Sequence, residues 1–245
     1  MRDVTVGMGD GEIVGLLGAN GAGKSTLCLV LAGLAPRVLG GTLAGRVLLE
    51  GADARDHPMH QVARRVGAVF QDPATQLSGI ASTVYEEVAF GPSNLGLPLS
   101  EVVERTESAL EAAGIADLAA RTPARLSGGQ QQLVAIAGVL AMRPGHLVLD
   151  EPTARLDARS VTLVADALER LAEQGVSILL AEHRTELVAS VCGRVVVLRG
   201  GSIVLDAPMR AALADERLRE LGVAEPPAAR LARLTGRART GGAAT

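Results

Sequence analysis

The octet Gly18-Ala19-Asn20-Gly21-Ala22-Gly23-Lys24-Ser25 constrains this chain more than any other stretch. Ahead of it, Glu12-Ile13-Val14-Gly15-Leu16-Leu17 is an apolar run of strand length. Behind it, Ser25 to Leu34 has the apolar content of a buried helix, with its exit at Ala35-Pro36. Glycines at 18, 21 and 23 let the backbone curl between these elements, so that successive N–H groups converge on one point. Lys24 adds a cation suited to β- and γ-phosphates, and Ser25 a hydroxyl suited to Mg²⁺. The helix N-terminus adds partial positive charge facing the same anion. The pattern G-x-x-x-x-G-K-[ST] between a strand and a helix is the P-loop, and it predicts binding of a nucleoside triphosphate. Asn20, Gly21, Ala22, Gly23, Lys24, Ser25 and Thr26 are the candidate phosphate-binding residues. An ordinary glycine-rich turn is the alternative, and it leaves the Lys24-Ser25 pair without a reason.

A chain of 245 residues can bury the core of one α/β domain with a subdomain or two. Hydrophobic residues make up 48% of it, but no stretch approaches the ~20 apolar residues of a membrane span. Runs such as Val195–Leu198 are core strands by length. The first residues, Met1-Arg2-Asp3-Val4, lack the apolar segment of a signal peptide, so the cytoplasm is the expected compartment. Cys28 and Cys192 fall inside predicted helices and read as small buried apolar residues. A net charge of −3 and only three aromatic residues, Phe70, Tyr85 and Phe90, argue against a nucleic-acid surface.

Along the chain, Val4 to Val6 reads as a strand, followed by a tight turn over Gly7 to Gly11. Beyond the P-loop helix, Arg46-Val47-Leu48-Leu49 is a predicted strand ended by Gly51. His57 and His60 have a spacing that could hold a metal, but no Cys, Asp or Glu pattern completes a site and a solvated loop is expected. Val66 to Phe70 is a strand that delivers Gln71-Asp72-Pro73 into a loop. From Thr83 to Ala120 the pattern turns helical, with Val102, Val103, Ala109, Leu110 and Ala113 on one face and Gly114 as the stop. This is expected to be a helical subdomain, about 74–142, inserted into the α/β core.

Leu126-Ser127-Gly128-Gly129-Gln130 opens a long helix from Gln130 to Met142, a second place where helix N–H groups face an anion. Next, Leu147-Val148-Leu149-Asp150-Glu151 is an apolar strand ending in two acids, the form of a Walker B strand. Asp150 is placed to hold Mg²⁺ and Glu151 to polarise the attacking water. Val161 to Ala172 reads as a helix and Val176 to Leu180 as a strand, with Ala181-Glu182-His183-Arg184 at its carboxyl end. Ligands of open α/β sheets bind there, so His183 is positioned for the site while His146, ahead of a core strand, is not. Arg194–Leu198 and Ile203–Leu205 flank a hairpin-like turn. Pro226-Pro227, Arg230, Arg233, Arg237 and Arg239 follow, and 241–245 is expected to be disordered.

This ordered set resembles the ATP-binding cassette (ABC) ATPases across nearly the whole chain. The resemblance implies a P-loop NTPase fold with a RecA-like core and inserted helical subdomain, an ABC domain over 1–222 and a tail over 223–245. It also implies that two cassettes pair head to tail, as a homo- or heterodimer, around two ATP molecules with Mg²⁺. Ser127, Gly128, Gly129 and Gln130 would then meet the nucleotide of the opposite cassette, and Asp157 in Thr153-Ala154-Arg155-Leu156-Asp157 would link the two sites. Glu151, His183 and Gln71 would be the catalytic residues, with His183 bracing the γ-phosphate. Ser25, Gln71 and Asp150 would face the metal. A narrower likeness, over Phe70–Leu77 and Thr83–Gly96, is to the energy-coupling factor (ECF) importers of vitamins, cobalt or nickel. Their partners are a transmembrane coupling protein and a separate substrate-binding membrane protein, which implies a peripheral place on the cytoplasmic face of the membrane.

Leu133 stands where such ATPases usually have Arg, Arg155 replaces a small residue and is expected to crowd the dimer contact, and Ala158 replaces a frequent Pro. The family's leading strand and adenine-stacking aromatic are missing ahead of the P-loop strand, so weak ATP binding carried by the phosphates is expected. Two other classes compete with the importer reading. One is a soluble ABC ATPase acting on nucleic acid or ribosomes, which would carry a long coiled coil or a second cassette. The other is a catalytically idle cassette, in which Glu151 or the 126–130 segment would be degraded.

Overall fold

The strands of this chain read as nearly continuous apolar runs because both faces of their sheet are covered. The computed structural model describes residues 1–213, 215–218 and 220–224. In chain order the elements are β1 (Ile13–Leu17), α1 (Lys24–Leu31), β2 (Leu48–Leu49), β3 (Ala52–Asp53), α2 (Met59–Arg65) and β4 (Val66–Val69). The helices α3 (Val84–Asn94), α4 (Leu99–Ala112) and α5 (Gly128–Ala141) follow. Then come β5 (His146–Asp150), α6 (Ala158–Glu173), β6 (Ser177–Ala181), α7 (Thr185–Val191), β7 (Arg194–Arg199), β8 (Ser202–Pro208) and α8 (Met209–Leu213). The main sheet has the order β4-β5-β6-β1-β7-β8, with every pairing parallel except the β7–β8 hairpin.

Strand periodicity divides the core in two. Ile13, Leu17, Leu147, Leu149, Ile178, Leu180, Val195 and Val197 face the side that holds α5 and α6, where Leu133, Val134, Ile136, Val164 and Leu168 pack on them. Val14, Leu16, Val148, Leu179, Val196 and Leu198 face the other side, against Leu27 and Cys28 of α1 and Val62 of α2. Between β4 and β5, the helices α3, α4 and α5 pack against one another. Thr83 and Glu86 close the N-terminus of α3 with a capping box, and Ser127 and Gln130 do so for α5. Leu133 is buried in the larger core cluster, which gives an apolar residue its reason at that position.

Several sequence expectations need correction. Val4 to Val6 is not a strand. Val4, Val6 and Met8 do alternate onto the core, but β1 already has β6 and β7 as its two neighbours, so no ladder position is free beside it. The segment is held instead by Arg2 N–H to Gly201 O (2.8 Å) and by the Arg194 guanidinium on Gly7 O (3.0 Å). The strand expected over 46–49 shrinks to Leu48–Leu49, which turns through Glu50-Gly51 onto β3. Both turn residues have positive φ, 53° and 83°, as a two-residue hairpin of this hand requires. The short helix α2 was not anticipated. Cys192 caps the end of α7 instead of lying within it, though it is buried as expected. His57 meets Gln61, and no group of three metal-ligating side chains occurs among the described residues. Val223 packs into the core beyond the expected boundary at 222, while the Pro226-Pro227 segment, the tail arginines and 241–245 lie outside the described residues.

Candidate active site

The carboxyl ends of β4, β5, β6 and β1 lie side by side in the sheet. Each delivers a candidate group: Gln71 after β4, Asp150 and Glu151 at β5, His183 after β6, and the glycine-rich turn after β1. A sheet of this topology gathers these segments, scattered over more than a hundred residues, along one edge.

The turn after β1 has the shape the octet demands. Gly18 has φ +148°, and a Cβ there would collide with Leu198 O, so only glycine fits. Gly23 is left-handed and starts α1 without a side-chain cap, and the first turn carries no acid. The helix therefore presents its first N–H groups to an anion without internal competition. Lys24 is 5% exposed, and its Nζ donates to Gly18 O at 2.9 Å. Burial pulls its ammonium below the usual lysine range, and the carboxylates of Glu151 and Asp150 oppose that shift. Asn20, Gly21, Ser25 and Thr26 are exposed around it, whereas Ala22 is buried and packs in the core.

The acids sit against this cation. Asp150 is 5% exposed and its Oδ1 has no hydrogen-bond partner among the described residues. A buried carboxylate oxygen left unpaired is costly, and a divalent cation held jointly with Ser25 and phosphate oxygens would satisfy it, so the residues fit Mg²⁺. Glu151 has φ +51°, a strained conformation for a side chain of its size and one that recurs at functional sites. Its N–H still bonds Ala181 O at 2.8 Å, which fixes the turn to β6. His183 Nε2 lies 2.8 Å from Glu151 Oε1 and 3.3 Å from Lys24 Nζ. With the proton on Nε2, the ring donates to Glu151 and leaves Lys24 to the loop carbonyl.

Glu182, to which the sequence reading gave no role, organises this corner. It is 2% exposed and accepts four hydrogen bonds: Thr153 N–H (3.1 Å) and hydroxyl on Oε1, and the His183 (3.1 Å) and Arg184 (3.4 Å) N–H groups on Oε2. Arg184 in turn donates to Leu156 O at 3.2 Å. The segment after Glu151 and the segment holding His183 are thereby locked together. The one sequence signal was an acid directly after the apolar run Ser177–Ala181, where an unpaired carboxylate would be expensive.

Ser127, Gly128, Gly129 and Gln130 make no hydrogen bond to Lys24, Asp150, Glu151 or His183 among the described residues. Ser127 accepts from Gln130 N–H and Gln130 accepts from Ser127 N–H, leaving the Gly128 and Gly129 N–H groups as donors without a partner among the described residues. Gly129 lies so close to the next segment that a Cβ would come 2.9 Å from Arg155 O. Arg155 reaches Asp72 at 3.5 Å, an ion pair with both members about half exposed. Asp157 caps α6 through Ser160 N–H at 2.8 Å, which lowers its carboxyl pKa. Gln71 is exposed at the end of β4.

The profile of the ABC transporter family matches residues 1–154, well over half of the chain. The chain belongs to the ABC transporter family. An energy-coupling factor transporter ATP-binding protein, EcfA1 of Symbiobacterium thermophilum, is 45% identical over 226 residues, covering 91% of this chain and 76% of that protein. A Methanosarcina mazei protein named as an ABC transporter ATP-binding protein is 41% identical over 239 residues, covering 96% of this chain. This ABC chain spans only 40% of the length of that relative. Among solved structures, cbiO1 from Clostridium perfringens, described as part of the ABC transporter complex cbiONQ, superposes with a TM-score of 0.76 at 33% identity, over 94% of this chain and 90% of that one. The ABC cassette fold, with its mixed α/β core and parallel sheet, is therefore established for this chain.

Proposed function

We propose that this chain is the ATP-hydrolysing subunit of an ECF-type importer, and that it drives uptake of a metal ion or a vitamin through membrane partners. The observation that carries the reading is the line of contacts from Lys24 through His183 to Glu151, beside the unpaired oxygen of Asp150. Phosphoryl transfer depends mainly on positioning and on charge stabilisation. The P-loop N–H groups and Lys24 bind and orient the triphosphate. Glu151, held by His183 and by its own N–H bond to Ala181, orients the attacking water and accepts its proton. Bound Mg²⁺ would be held by Ser25 and Asp150, with Gln71 at its edge, and would supply positive charge to the β- and γ-phosphate oxygens. Ser127 to Gln130 lie off this group within one chain, which supports their use by a second cassette paired head to tail, with Asp157 between the sites. The likeness to EcfA1 and cbiO1 favours membrane partners, a transmembrane coupling protein and a substrate-binding membrane protein, over nucleic acid or ribosomes. In this reading the membrane partners hold the chain at the cytoplasmic face as a peripheral subunit; no helix among the described residues is itself long and apolar enough to cross a membrane.

Affinity purification from detergent-solubilised cells, followed by an ATPase assay on the purified complex, tests this. Two membrane proteins co-purifying with Mg²⁺-dependent hydrolysis is the expected result. Co-purification of ribosomes or DNA instead would overturn it, and a complex without hydrolysis would point to an idle cassette.

A further inference from the structure

The loop carrying Gln71 leaves β4, which is the edge of the sheet, and an edge strand has one row of backbone groups without a ladder. Glutamine side chains supply partners here. Gln76 Oε1 accepts from Phe70 N–H at 2.7 Å, and its Nε2 donates to Ala68 O at 3.0 Å. Phe70 O accepts from Gln132 Nε2 at 3.3 Å, from a helix 62 residues further along the chain. Both backbone groups of the residue before Gln71 are thus held by amides, one from its own loop and one from α5.

Gln132 is an expensive residue for its place. It is 1% exposed, and its Oε1 has no hydrogen-bond partner among the described residues. A buried amide that uses one end and wastes the other gains little for the fold, and an apolar side chain of the same length would pack there at no greater cost. Its one bond goes to the root of the Gln71 loop, from the helix whose first turn contains Gly128 and Gly129. We infer that Gln132 is a positioning residue for Gln71, tying the Gln71 loop to α5 so that the two shift together. The catalytic part of this inference rests on the ATP-hydrolysing reading above, and the positional part does not.

The test replaces Gln132 with Met in the full chain, with Gln131→Met as control. Gln131 lies on the same helix and donates to Pro123 O at 3.2 Å, away from Phe70. Amide exchange without added nucleotide should speed up in Gln132→Met at Phe70, whose N–H is protected by Gln76 Oε1 at the root of the Gln71 loop, by about five-fold, the factor set by one net hydrogen bond. Turnover should fall by a similar factor with the KM for ATP held within about two-fold, while the unfolding midpoint stays level or rises. If Gln132→Met does not accumulate as folded protein, the smaller Gln132→Leu carries the same measurements. Exchange and turnover matching the Gln131→Met control would overturn the inference. An unmodified chain that hydrolyses no ATP counts against the function reading alone, because the exchange measurement still decides the positional claim.

Discussion

Replacing Glu182 by Gln keeps the side-chain shape and changes only its hydrogen-bonding sense. In the native arrangement all four partners of Glu182 donate, and the carboxylate is 2% exposed. The best placement of the amide points its oxygen at the His183 and Arg184 N–H groups and its NH₂ at Thr153. The Thr153 hydroxyl can rotate to accept, but the Thr153 N–H cannot, and it is left buried and unpaired. That orphan costs about 1–3 kcal/mol. Turning the surviving charge-assisted bonds into neutral ones costs about 1 kcal/mol more, even after the easier burial of a neutral group is counted. A loss of about 3 kcal/mol follows, and in a chain of this size it lowers the thermal midpoint by roughly 6–12 °C. Thr153→Val, which removes only the hydroxyl bond, should cost about 1 kcal/mol. The double mutant should lose less than the sum, because Glu182 and Thr153 are hydrogen-bonded to each other. Thermal melts and urea titrations followed by circular dichroism measure all three, and an ATPase assay beside them should show turnover falling further in Glu182→Gln than in Thr153→Val, since only the former loosens His183. A Glu182→Gln midpoint within about 2 °C of the unmodified protein would refute the reasoning.

Glu151→Gln should retain ATP binding, lose nearly all turnover and accumulate as an ATP-dependent dimer on gel filtration; turnover within a few-fold of the unmodified chain would remove Glu151 as the base. Gln71→Ala should impair uptake by the reconstituted complex more than it impairs nucleotide binding, and equal losses would reduce Gln71 to a site ligand. Asp206 is paired with the Arg194 guanidinium at 2.5 Å and 2.6 Å, which holds its carboxyl below the usual range. A depressed carboxyl contributes stability that is present above its unfolded pKa of about 3.9 and is lost as pH falls through the folded value. Asp206→Asn should therefore cost about 1 kcal/mol at pH 7, allowing for partial exposure, and the gap should close in urea titrations as pH drops below about 4.

The glycine spacing, Lys24, the acids ending an apolar strand and the helical periodicity of 101–113 were all legible in the sequence, because each is a short-range pattern with a local physical cause. Phosphate cradling needs glycines at fixed offsets, and a strand buried on both faces must be apolar along its whole length. Those constraints carried the fold and most of the candidate site. Tertiary structure decided what depends on neighbours distant in sequence. Val4 to Val6 carries strand-like residues and alternates onto the core, yet it has no ladder because β1 is already flanked on both sides. Glu182 and Thr153 lie 29 residues apart, and Gln132 and Phe70 lie 62 apart. No periodicity announces such a pair, because the position of an amide or a carboxylate along the chain does not reveal which backbone group the packed sheet will leave unpaired beside it.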